Sequence, residues 1–299
     1  MIPLRARVHL AHAAVARLLG DVGIRALHIK GYAALPGSYR PDRGSTDVDL
    51  LVHPDDASRA VALLSESGWP VATDFSQGSI FGHAATLRHG QLGYVDVHRW
   101  FPGIGLDPAI AFEELWSTRA ERCLAGHRIP VPDRPHQRLL ILLHAARDTV
   151  RRRSDVLHIR TSSERGEWEH LCTLAIAFRA QAAWEAATHE PLPGADPDET
   201  ALFQAMAAGH SGLQLFGARW RATHGVRSRV RLVLTTVRVN RARLSMDLGR
   251  PATTTDALRW QGDRVAQVGR WVLRRLRAAG PGRGDAPPGH HTAEQRKDP

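Results

Sequence analysis

Apolar residues Leu4, Val8, Ala11, Val15 and Leu18 recur at spacings of three and four, which predicts an amphipathic helix over residues 4–19 with its arginines outward. Residues 24–29 then alternate like a short strand, Lys30-Gly31 closes it, and residues 32–35 are helix-capable. The pattern is strand, glycine turn, helix. After the turn-forming stretch 36–43, which holds Arg40, Asp42 and Arg43, the chain runs Gly-Ser-Thr-Asp-Val-Asp-Leu-Leu-Val into a second strand at 47–52. His53-Pro54-Asp55-Asp56 is a helix start, and Ala60, Leu63 and Leu64 share one face of the helix it opens, which ends at Gly68. Two alternating runs at 79–89 and 93–100, separated by a turn at Gly90, predict a β-hairpin.

From Pro132 onward strand patterns almost vanish. Helices are predicted at 134–150, 166–187, 198–209, 213–223, 226–246 and 255–278, with breaks at Pro191-Leu192-Pro193-Gly194 and Gly249-Arg250-Pro251. This is an α+β chain: a sheet with flanking helices over residues 1–132, a helical domain over 133–278, and a tail over 279–299 with too little to bury to fold.

Composition narrows the classes. The 299-residue chain is 43% hydrophobic, enough for a full core, and no window approaches the roughly 18 uncharged apolar residues of a membrane span. Arg5, Arg7 and Arg17 interrupt the first apolar run, so it is not a secretory leader, and a cytoplasmic protein is expected. Cys123 and Cys172 lie in no Cys-x-x-Cys pair; they read as two buried thiols rather than a disulfide or zinc framework. Net charge is +10, and residues 221–280 alone hold 14 arginines against Asp247, Asp256 and Asp263. Such a block attracts phosphates, nucleic acid, anionic lipid or acidic partners, or is simply a solvated helix face.

Two details point to chemistry. Asp47 and Asp49 lie two apart on one strand, so they face the same way while Val48, Leu50 and Val52 face the core. Like charges so placed repel unless a cation lies between them. Asp96 and His98 repeat this on the second arm of the hairpin, in Tyr-Val-Asp-Val-His, and three strand aspartates suit Mg²⁺, which prefers oxygen ligands. The second detail is Lys30. Only it and Lys297 are lysine among 40 basic residues, so a compact ammonium is held just before a glycine turn where backbone N–H groups approach an anion.

Taken together, Ile-Lys-Gly at 29–31, Arg-Gly-Ser-Thr-Asp-Val-Asp-Leu-Leu-Val at 43–52 and Val-Asp-Val-His at 95–98 resemble the nucleotidyltransferase superfamily that includes DNA polymerase beta. Within it, they resemble a group of largely uncharacterised bacterial nucleotidyltransferases. The resemblance covers residues 1–150, with Leu-Leu-His-Ala-Ala-Arg at 142–147 as the most similar piece of the helical half. It implies a mixed sheet of the nucleotidyltransferase type. It further implies that Asp47, Asp49 and Asp96 are catalytic and bind Mg²⁺, with Mn²⁺ as substitute, and that Asp96 deprotonates or orients the acceptor hydroxyl. Lys30, Gly31, Arg43, Gly44 and Ser45 would hold the triphosphate of an NTP donor, with Arg40, His98 and His144 beside them. Many members carry Gly-Gly or Gly-Ser at the first turn where this chain has Gly31-Tyr32, leaving open whether Gly31 or Gly44-Ser45 meets the phosphates. The implied reaction moves a nucleoside monophosphate to a hydroxyl or phosphate and releases pyrophosphate. A small-molecule or modified-peptide acceptor, as in natural-product tailoring, is expected ahead of tRNA or other RNA, because the basic block lacks interleaved aromatics for base stacking. A non-catalytic nucleotide- or RNA-binding module on the same fold is the alternative.

Overall fold

The computed structural model describes residues 2–41, 43–75, 81–149, 152–210, 212–237 and 252–278, together with residues 239, 244, 248 and 250. The predicted unfolded tail, 279–299, lies outside the described residues, as do parts of the helix expected over 226–246. The chain forms helix α1 (Leu4–Asp21), strand β1 (Ala26–Ile29), a single 3-10 turn at Gly31–Ala33, strand β2 (Asp47–Val52), helix α2 (Ala57–Glu66) and strands β3 (Val71–Thr73), β4 (Ala84–His89) and β5 (Gly93–His98). Helix α3 (Pro108–Ser117) and the hairpin β6 (Ala120–Leu124) and β7 (His127–Val131) follow.

Five strands form one mixed sheet in the order β1-β2-β5-β4-β3, in which β2 and β5 run parallel and the other neighbours antiparallel. One face packs on α1 and α2. There Val48, Leu50, Val52, Val95 and Val97 meet Val8, Val15, Leu19, Ala60 and Leu64 in a single apolar cluster, as the strand alternation requires. The opposite face is not left to solvent. Leu27, Ile29 and Leu51 join Phe101, Phe112 and the helical half in a second, larger cluster.

At the centre of that cluster is α4 (Arg134–Ala145), whose residues from His136 to Leu143 are all buried. A helix buried on every side is a core helix. Against it pack α5 (Arg152–Ser162), α6 (Arg165–Ala177) and α7 (Gln181–Thr188), and α8 (Pro197–Ala207) packs on α7. Helices α3, α4 and α8 begin with Asp107, Asp133 and Asp196, whose carboxylates accept backbone N–H groups of the first turn, with a proline just inside. Beyond them α9 (Gly212–Arg221), α10 (Val226–Val237) and α11 (Thr254–Ala278) make a small cluster of their own around Phe216, Leu232 and Val268.

Several expectations are corrected. The helix expected over 166–187 is broken between α6 and α7: Arg179 takes a positive φ of 51°, and the Phe178 carbonyl accepts N–H groups from Gly105 and Leu106. The loop after β5 claims that carbonyl, and the helix must stop. The helical stretch after Lys30 shrinks to one 3-10 turn because Ala34 is already extended (φ −63°, ψ 139°). Helices α3 and α5, short β3 and the β6-β7 hairpin had no decisive sequence pattern. Cys123 is exposed, not buried, because it lies on an outward position of β6 in a two-stranded hairpin; Cys172 is partly buried. Among the described residues no helix is long and apolar enough to cross a membrane.

Candidate functional site

The parallel pairing of β2 with β5 sets Asp49 opposite Asp96. With Asp47 one step earlier on the same face and His98 one step later on β5, acidic and imidazole groups converge where the helical half stops covering the sheet. All the residues singled out from the sequence line one open cleft of about 600 Å³ here, Arg40, Arg43, Gly44, Ser45 and His144 included.

The Lys30-Gly31 turn builds the cleft's floor. Lys30 has φ 61° and ψ −176°, a region that residues other than glycine rarely enter, and Gly31 follows at φ +52°. Strain of this kind is worth on the order of 1–3 kcal/mol and persists only where its surroundings hold it. Here it swings Lys30 Nζ to 2.6 Å from Asp49 Oδ1. Gly31 has no room for a side chain: a Cβ would lie 2.5 Å from Ser45 Oγ and 2.9 Å from Ser45 Cβ. Ser45 Oγ in turn donates to the Asp47 carbonyl at 3.0 Å and lies 3.3 Å from Asp47 Oδ1. Gly31 and Gly44-Ser45 are therefore two sides of one contact. Gly31→Ala is expected to destabilise the fold by about 2 kcal/mol, read from urea unfolding, because both φ and the Ser45 contact oppose a Cβ; an unchanged midpoint would contradict the packing described.

Electrostatics separate the three acids. Burial drives Asp49 upward, but Lys30 and His98 together outweigh it and hold its carboxyl well below the usual carboxylate range. His98 Nε2 lies 2.9 Å from Asp49 Oδ1, while Nδ1 is buried without a partner among the described residues. An Nε2–H donating to Asp49 leaves only a lone pair unmet at Nδ1, the less costly tautomer. His98 itself is pushed down to about 4 by burial. Burial and then the Asp49 charge push Asp96 up to about 6, against the pull of a 2.6 Å hydrogen bond from Thr86 Oγ1. The same two causes raise Asp47. Burial first and Asp49 second thus oppose negative charge at Asp47 and Asp96, and a cation in the cleft would relieve both.

A cation suits this donor set. Asp49, Asp96 and His98 each offer an atom within 4.8 Å of the others, and Asp47 stands at the mouth on the same strand. On the far side, Arg43 lies over the Tyr39 ring at 5.1 Å and 3.8 Å from Asp155 of α5, so the helical half steadies it. His144 of α4 is held far below its usual range by burial. Lining residues that were not picked out as candidates from the sequence include His83, Thr86, Arg147 and Asp148. Thr86 could be found only from the hairpin register, which sets it opposite Asp96; Arg147 sat at the end of the Leu-Leu-His-Ala-Ala-Arg run.

Carboxylates on adjoining strands share a cleft with a lysine and arginines, a set of groups that could hold a cation beside phosphates. The chain belongs to the family described as uncharacterised nucleotidyltransferase, whose model matches residues 4–189, more than half of its length. No curated protein matches it. Among solved structures it is similar to the lincomycin-bound crystal structure of the lincosamide antibiotic adenylyltransferase LnuA, at 16% identity and a TM-score of 0.36 over 52% of this chain and 96% of that one. It is also similar to an antigenic nucleotidyltransferase-like protein from Paracoccidioides brasiliensis, at 19% identity and a TM-score of 0.38 over 62% of this chain and 97% of that one.

Proposed function

We propose that this protein transfers a nucleoside monophosphate from an NTP to a hydroxyl or phosphate of a small-molecule or modified-peptide acceptor, releasing pyrophosphate with the help of Mg²⁺ or Mn²⁺. The observation that carries this reading is the pairing of Asp49 with Asp96 on adjacent parallel strands, beside Asp47 and against Lys30. Asp47, Asp49 and Asp96 would hold the metal, which when bound neutralises phosphate charge and makes the acceptor hydroxyl more acidic. Lys30 fixes Asp49 in place and offers its remaining N–H groups towards the phosphates. The acceptor oxygen bonds to the α-phosphorus, the bond to the bridging oxygen of the β-phosphate breaks, and the hydroxyl proton passes to an Asp96 oxygen. Of the three acids, Asp96 is the one with a proton affinity near neutrality. A cleft of about 600 Å³ is of a size for small ligands rather than a folded RNA.

Incubation with each labelled NTP, Mg²⁺ and candidate acceptors, alongside an Asp47→Ala, Asp49→Ala double variant, tests this. Pyrophosphate release that survives in the double variant would remove the site from consideration. The raised Asp96 gives a second expectation. Proton and cation compete there, so Mn²⁺ affinity measured by calorimetry should fall as pH drops through about 6, with proton release on binding at the acid end. Affinity that is flat between about pH 5 and about pH 8 would place the cation elsewhere.

A further inference from the structure

Arg147 leaves the turn that follows α4 and enters the cleft from the helical side, facing the sheet's carboxylates. Its guanidinium lies over the Phe101 ring at 5.4 Å, and Nη1 lies 3.5 Å from His83 Nε2, at the limit of a hydrogen bond. Nε and Nη2 are buried without any hydrogen-bond partner among the described residues, and no described carboxylate comes within ion-pair distance. Burial lowers its pKa to about 10, so it keeps its charge at neutral pH.

A buried guanidinium in this condition is costly, because lost hydration is repaid only by a well-placed anion and filled N–H groups. Arg138, on the same stretch of chain and more deeply buried, shows the ordinary solution for the end of the fork: Nη1 donates to Ser163 Oγ at 2.9 Å and to Glu167 Oε2 at 3.0 Å, although its Nε, like that of Arg147, has no partner among the described residues. What separates the two is position. Arg138 pairs with a carboxylate of the helical half, whereas Arg147 lines the cleft and has no carboxylate in ion-pair contact among the described residues.

We infer that Arg147 is a phosphate-binding residue, its guanidinium forming a seat for a phosphate group on the helical wall of the cleft. Arginine suits this better than lysine, since its planar fork matches two oxygens of one phosphate at once. The seat lies across from Asp47, Asp49 and Asp96, so a polyphosphate between them is gripped from both halves of the chain. The inference rests on the nucleotidyl-transfer reading for which phosphate is meant: the donor's β,γ-phosphates or one carried by the acceptor.

The test uses the full chain, wild type and the variants Arg147→Met and Arg147→Lys. Binding is followed by calorimetry with Mg²⁺ and pyrophosphate, a non-hydrolysable NTP analogue, AMP, or inorganic phosphate, and thermal unfolding is recorded without ligand. Removing an unpaired buried charge should hold or raise the Tm of Arg147→Met, while its pyrophosphate affinity falls at least tenfold; Arg147→Lys should recover part of that loss. A loss shared by pyrophosphate and the NTP analogue, with AMP unaffected, assigns the donor's β,γ-phosphates. A loss of inorganic phosphate binding in the presence of saturating NTP analogue assigns an acceptor phosphate instead. The inference is overturned if wild type binds none of these anions, if Arg147→Met binds them all within twofold of wild type, or if its Tm falls together with every affinity, which marks a purely structural arginine. Transfer activity is scored separately. Full wild-type kcat and KM in Arg147→Met would sink the phosphate seat and leave the transfer reading standing. Anion binding that depends on Arg147 in a protein that transfers nothing would do the reverse.

Discussion

Asp96→Asn is expected to lower kcat/KM for the proposed nucleotidyl transfer by roughly 10³-fold or more, because it removes the proposed metal ligand and proton acceptor together. The same change should leave the fold intact or strengthen it. Asp96 is pushed up to about 6 by burial and by Asp49, so above that pH the folded chain carries a carboxylate it disfavours. For a raised acid, the stability contribution is present below the unfolded value near 4 and is lost as pH rises through about 6. The neutral asparagine removes that loss. Its advantage should be on the order of 1–2 kcal/mol at neutral pH and should vanish below about pH 4, read from urea unfolding across pH. Thr86 Oγ1 still has an oxygen to donate to. Transfer within tenfold of wild type would show that Asp96 is not in the reaction, whatever the stability does.

Lys30→Ala is the second large effect, and here the cost falls on the fold as well. Removing one partner of a buried ion pair typically costs about 3–5 kcal/mol, because the other charge stays buried and unmatched. Asp49 would keep His98 as a hydrogen-bond donor but lose its nearest positive charge, at 2.6 Å. Relief of the positive-φ strain at Lys30 returns little of this, since alanine resists that backbone as lysine does. The sign of the pH dependence follows. In the wild type the depressed Asp49 contributes stability above about pH 4 that is lost on acidification; without Lys30, burial dominates and the carboxyl is raised instead. The deficit of Lys30→Ala should therefore be largest at neutral pH and shrink as Asp49 takes up a proton towards pH 5. A deficit that is the same at both would mean the ammonium is not what holds Asp49 charged.

How much of this was legible in advance varies with how local the signal is. The Asp47-Val48-Asp49 alternation, the apolar faces of α1 and α2 and the Pro/Asp starts of helices are readable because periodicity and capping involve neighbours in sequence. Lys30 stood out by composition alone, in a chain otherwise committed to arginine. The strained turn that aims it could not be read: Lys30-Gly31 gives no hint that the lysine, and not only the glycine, takes a positive φ. Thr86 and Arg147 were missed for a related reason. Neither belongs to a local pattern of acids, and each matters only through what it faces across the cleft. The break at Arg179 and the short Gly31–Ala33 turn were missed because backbone groups elsewhere, or an extended neighbour, decide where those helices end.

The sequence by itself determined an α+β chain, the side of each strand that carries acids, and the kinds of groups available to bind a cation and phosphates. Side-chain alternation and helical periodicity are properties of the backbone, so they need no tertiary information. Only the tertiary structure decided that β2 and β5 lie parallel with Asp49 opposite Asp96, that Leu51 turns the open face of the sheet into a second core, and that Arg147 lines the same cleft as the carboxylates from the helical half. Strand register and the docking of helices are set by the sum of many distant contacts. A one-residue slip between β2 and β5 would have kept every local pattern in the sequence and turned Asp96 away from Asp49.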